Sequence, residues 1–143
     1  MAELTGNEEY LSEQDVRVYL RDRDPEANLL LDDFEFTPEE IRTASTIAVD
    51  YFNETPPLIA RFTVGSFSSR YHLLIGTCAQ LFYMAAHRYR RNKLTHRIPG
   101  GGVSDQDKDA DYDRAGDRLW QQYTQWVARY KRAVNIEHGW GAM

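Results

Sequence analysis

YHLLIGTCAQLFYMAA, residues Tyr71 to Ala86, carries no formal charge. Its apolar residues, from Leu73-Leu74-Ile75 through Cys78, Leu81 and Phe82 to Met84-Ala85-Ala86, are too dense for one face of a helix. A helix apolar all round is buried on several sides, in a protein core or in a membrane. The membrane reading fails, because a span needs about 20 mostly apolar residues. His72, Gly76, Thr77 and Gln80 interrupt this run, and His87-Arg88-Tyr89-Arg90-Arg91 ends it. The stretch therefore reads as the central helix, over about residues 69–92, of an all-α domain. Its small residues Gly76, Ala79, Ala85 and Ala86 allow neighbouring helices to approach.

The rest of the chain supplies that helix with its coat. A length of 143 residues fits one domain. Folding at that size buries roughly 68–70% of the unfolded chain's surface, so neither disulfide nor metal is needed as a staple. The single Cys78 lies inside the apolar run, where a thiol behaves as a small hydrophobe. The N-terminus, MAELTGNEEYLSEQD, has neither a basic start nor an apolar stretch, which predicts synthesis without a secretory leader and retention in the cytoplasm.

Charge is segregated along the chain. Residues 1–59 hold fifteen acidic and four basic side chains, whereas no acid occurs from Thr55 to Ser104, a span with seven bases. Small monomers normally mix the signs. The separation predicts complementary faces, used within the fold or between copies of it.

Helix boundaries follow from local signals. Ser12 and Asp15 form a capping pair, and Leu11 with Val16 forms a hydrophobic staple. The short helix that follows should turn Val16, Tyr19 and Leu20 inward and stop near Asp24-Pro25. Residues 26–35 read as a connector that packs Leu29, Leu30 and Leu31 on the core. Thr37 caps the next helix, with Pro38 at its first position, Glu40 closing the box and Phe36 stapling Ile41. Ile41, Ala44, Ala48 and Tyr51 recur at helical spacing, widened by Ile47 and Phe52, until Asn53-Glu54-Thr55-Pro56-Pro57 ends the run. A linker follows over 58–68, from which Ser66, Ser68 or Ser69 caps the central helix. The last helix, over about 105–135, places Tyr112, Leu119, Tyr123, Trp126, Val127, Tyr130 and Val134 on one face. Residues 1–134 thus form one helical domain of about four helices, and Asn135 to Met143, NIEHGWGAM, an extended tail.

Motifs for chemistry are weak. The acids Asp105, Asp107, Asp109, Asp111 and Asp113 alternate as in a calcium loop, but neither register supplies the glycine and glutamate that an EF-hand needs. They suit a helix N-terminus instead. Gly100-Gly101-Gly102 lacks the Lys-Ser/Thr ending of a phosphate-binding loop and reads as a hinge. His72, His87, His96 and His138 form no ligand spacing, and no nucleophile has a recognisable context. No enzyme, cofactor or metal site is expected. Arg88, Arg90, Arg91 and Lys93 with Tyr89 could touch nucleic acid, but DNA-reading domains have a pI above about 9 and this chain has about 5.3.

Four passages together resemble the head–tail connectors (adaptor or neck proteins) of tailed bacteriophages. They are Asp33-Phe34-Glu35-Phe36-Thr37-Pro38-Glu39-Glu40-Ile41, the exit Tyr51-Phe52-Asn53-Glu54-Thr55-Pro56-Pro57, the basic junction into three glycines, and the aromatic last helix ending in Gly139-Trp140-Gly141. The resemblance implies a non-enzymatic α-helical subunit in a ring of its own copies, commonly a dodecamer, at the head–tail junction of the virion. Such a ring sits beneath the capsid's portal protein, passes DNA through its lumen and receives a further neck or tail-completion protein below. It also implies docking on the portal through the C-terminal segment. There an aromatic between flexible glycines makes an anchor, so Trp140 with Ile136 is the expected portal contact. Unlike charged faces suit a ring, and Arg88, Arg90 and Arg91 are expected to meet Asp32, Asp33 and Glu35 of a neighbouring subunit. The alternative is a small helical nucleic-acid-associated or regulatory protein that uses the basic end of the central helix.

Overall fold

The computed structural model describes residues 11–20, 36–58, 61–95 and 108–137. These form four α-helices: α1 (Glu13–Leu20), α2 (Pro38–Glu54), α3 (Arg70–Thr95) and α4 (Lys108–Glu137). A single 3-10 turn, Val64–Ser66, precedes α3. Among the described residues there is no strand, and no helix is long and apolar enough to cross a membrane. The chain is all-α, with α3 at its centre.

Each helix start is held as its residues dictate. Ser12 Oγ accepts the amide of Asp15 at 3.1 Å, and the Asp15 carboxylate accepts the amide of Ser12 at the same distance. Thr37 Oγ1 accepts the Glu40 amide at 3.1 Å while Glu40 Oε1 accepts the Thr37 amide at 2.9 Å. Two otherwise unsatisfied donors are thereby paired at each start. Ser69 is the linker serine that opens α3: its carbonyl accepts the Leu73 amide at 2.9 Å and its hydroxyl the His72 amide at 3.3 Å. Thr37→Ala should lower stability by about 1 kcal/mol in urea unfolding, with the helices otherwise intact.

Helices α3 and α4 run antiparallel along nearly their whole lengths. His72 meets Trp126, Gly76 meets Tyr123, Tyr83 meets Asp117 and Tyr89 meets Tyr112. Helix α2 lies across the same crossing, where Ala48 Cβ would sit 3.1 Å from a Cβ at Gly76. The core has two regions. One is aromatic, built around Phe52, Phe67 and Tyr123; the other is aliphatic, with Val16, Ile41, Ala44, Cys78, Leu81 and Ala85. Burial pushes the Cys78 thiol up to about 12, so it is an inert packing group.

Several boundaries and facings differ from expectation. Helix α4 runs through Asn135, Ile136 and Glu137, so these three residues are helical and do not belong to an extended tail. In α1, Val16 is fully buried but Tyr19 stays 43% exposed, and Arg17 is buried in its place. Arg17 Nε is tied to Glu13 at 2.9 Å, one turn earlier, which allows a cation to occupy that face. Phe82 is half-buried against Tyr112, whereas Leu81 is fully buried. The expected Leu29-Leu30-Leu31 packing and the Gly100–Gly102 hinge lie outside the described residues.

Candidate functional site

Among the described residues, two grooves use α3 as part of their walls, near its opposite ends. The first is about 650 Å³, between α2 and the C-terminal half of α3. Ile47 and Met84 give it apolar floor, Glu40, Arg88 and Arg91 give it charge, and His87 stands beside them. The second is about 440 Å³, between α1 and the first turns of α3. Leu11, Val18, Tyr19, Tyr71 and Leu74 line it, with the ion pair of Asp15 and Arg70 on its rim at 2.5 Å. Burial alone would raise the Asp15 carboxyl, but the Ser12 amide and the Arg70 guanidinium outweigh that and hold it below its ordinary value.

The basic end of α3 is engaged within the chain. Arg88 lies 3.9 Å from Glu40 and over the ring of Phe36 at 5.7 Å. Arg90 reaches Asp109 at 3.4 Å and also pairs with Asp113. These bonds tie α3 to both α2 and α4. Arg91 lines the larger groove. The expected partners Asp32, Asp33 and Glu35 lie outside the described residues, as does Trp140. Ile136, the other expected portal contact, is 62% exposed on the last turn of α4.

At the other end of α3, His72 stacks on Trp126 with ring centroids 4.4 Å apart and planes 8° from parallel. Its Nδ1 shares a hydrogen bond with Ser69 Oγ at 2.8 Å. Burial lowers the imidazole below its ordinary value, and Arg129 adds to this. The ring therefore favours its neutral form and works as a packing group that ties the α3 cap to α4. Among the described residues, no three His, Cys, Asp or Glu side chains converge as a metal site would require.

The most consequential polar residue missed by the sequence reading is Lys131, 1% exposed. Its ammonium donates to the carbonyls of Phe52, at 2.5 Å, and of Thr55, and lies 4.5 Å from the Phe52 ring centre. These carbonyls belong to the end of α2, whose last acceptors lack helical partners and attract a cation. A signal did exist: Lys131 falls one turn after Val127 and two after Tyr123, on the apolar face. Asn53 was missed too. Its side-chain amide donates to Phe62 O at 2.8 Å and accepts from Phe62 N at 2.9 Å, closing the loop after α2.

No family model matches the chain, and no curated protein or solved structure does so either.

Proposed function

We propose that the chain is a ring-forming head–tail connector subunit of a tailed bacteriophage, a non-enzymatic virion protein between the portal and the tail. The observation that carries this reading is the presence of two unlike grooves on different stretches of one central helix. A ring repeats a heterologous contact, in which one face of a subunit meets a different face of the next. One groove is lined mainly by tyrosine and aliphatic side chains and the other sets Glu40, Arg88 and Arg91 around an apolar floor, so the subunit offers two faces of different chemistry. A net charge of −5 also suits a lumen through which DNA moves without adhering.

The ion pairs of Arg88 and Arg90 favour this reading over nucleic-acid binding. Cations held by Glu40, Asp109 and Asp113 must break those bonds before they can neutralise phosphate. In the connector reading, the exposed Ile136 and the segment beyond Glu137, with Trp140, dock on the portal. Electron microscopy of the chain mixed with portal should show a ring of subunits beneath it. A chain truncated after Glu137 should keep its melting temperature and lose portal attachment. Full-affinity attachment by the truncated chain would place the anchor elsewhere. Tight, steeply salt-dependent DNA binding by a monomer would replace the connector reading altogether.

A further inference from the structure

We infer that the apolar groove between α1 and α3 receives the Pro56-Pro57-Leu58 turn of a second copy of the chain. This names the subunit contact of the ring and rests on the connector reading for its closure. The turn is the most prominent apolar projection among the described residues: both prolines are exposed and Leu58 is 69% exposed. Its base is fixed, because Lys131 binds the carbonyls of Phe52 and Thr55 and Asn53 clasps Phe62. The turn is therefore presented outward on a rigid support and does not fold back on its own core.

The groove has matching chemistry. Val18 is 52%, Tyr19 43% and Tyr71 55% exposed around it, an open apolar patch of two tyrosines and aliphatic side chains. Tyrosine rings offer broad apolar faces against which exposed proline and leucine side chains can pack. The rims also agree in charge. The turn is flanked by Glu54 and Arg61, loosely paired at 3.5 Å and both well exposed. The groove is flanked by Asp15 and Arg70. Docking sets Glu54 beside Arg70 and Arg61 beside Asp15, so each rim exchanges an internal ion pair for one across the contact.

Position supports the same pairing. The turn follows the end of α2 and the groove lies at the start of α3, and these are one end of the bundle, since Trp126 and Lys131 of α4 touch both. Two unlike patches on one subunit make a heterologous contact that each successive copy can repeat, as a ring requires.

The experiment uses surface variants of the full chain, Leu58→Asp for the turn and Val18→Asp or Tyr71→Ser for the groove. Circular dichroism first confirms that each keeps its helicity. Sedimentation of the wild-type chain should show association that grows with concentration, and each variant should self-associate about thirtyfold more weakly, as for loss of a hot spot. Mixing a turn variant with a groove variant should restore one contact, giving a 1:1 dimer that grows no further. If wild-type chains associate and the variants do so equally well, the groove assignment is overturned while the ring reading stands. A mixture no more associated than its components overturns the turn-in-groove pairing as well. Wild-type chains that remain monomeric at millimolar concentration, without dimer in the mixture, overturn the inference and leave the portal experiment to decide the ring.

Discussion

Phe52→Ala should destabilise the protein by about 3–5 kcal/mol, the range for truncating a large buried aromatic. Phe52 has no exposed surface. Its ring meets Phe62 and Phe67 at 5.3 Å, Tyr130 at 5.7 Å and Trp126 at 6.0 Å, so it joins α2, the linker and α4. Truncation leaves a cavity where three elements meet and none can close it alone. It also removes the aromatic face beneath the Lys131 ammonium, exposing the cost of burying that charge. The melting temperature should fall by on the order of 10 °C. Thermal and urea unfolding measure both, and a near-neutral result would contradict the placement of α2's end beneath α4.

The second large effect is expected at Gly76. A Cβ added there would lie 2.9 Å from Tyr123 Cδ1, 3.0 Å from its Cγ and 3.1 Å from Ala48 Cβ. The obstructing atoms belong to the base of a fully buried ring and to a methyl group, neither of which can swing away. The Tyr123 hydroxyl is also fixed, donating to the Ala48 carbonyl. Gly76→Leu should therefore cost about 3 kcal/mol or more, at or beyond the usual limit for overpacking. Gly76→Ala should cost less, because alanine recovers about 1 kcal/mol of helix propensity. The comparison separates backbone preference from crowding. If the leucine variant unfolds at the wild-type urea concentration, the three helices do not meet at this residue.

The sequence by itself determined the helices and their order, for reasons that are local. A cap needs only residues three apart, as in Ser12 with Asp15 and Thr37 with Glu40, and a proline pair ends a helix wherever it stands. The uncharged run from Tyr71 was enough to place one helix at the centre, since no single face could hold its apolar residues. Apolar spacing likewise identified Tyr123, Val127 and their neighbours as the inner face of α4. What only the tertiary structure decided depends on groups far apart in the chain. Lys131 reads as one more surface charge until the carbonyls of Phe52 and Thr55 appear beside it. Arg88 and Arg90 read as partners for the acids of a neighbouring subunit until Glu40, Asp109 and Asp113 of the same chain are brought to them. Tyr19 reads as core until α1 and α3 cross so as to leave a groove between them. Local propensity fixes where a helix begins and which residues share a face; whether that face is covered, and by what, is set by the crossing of helices, which sequence spacing does not encode.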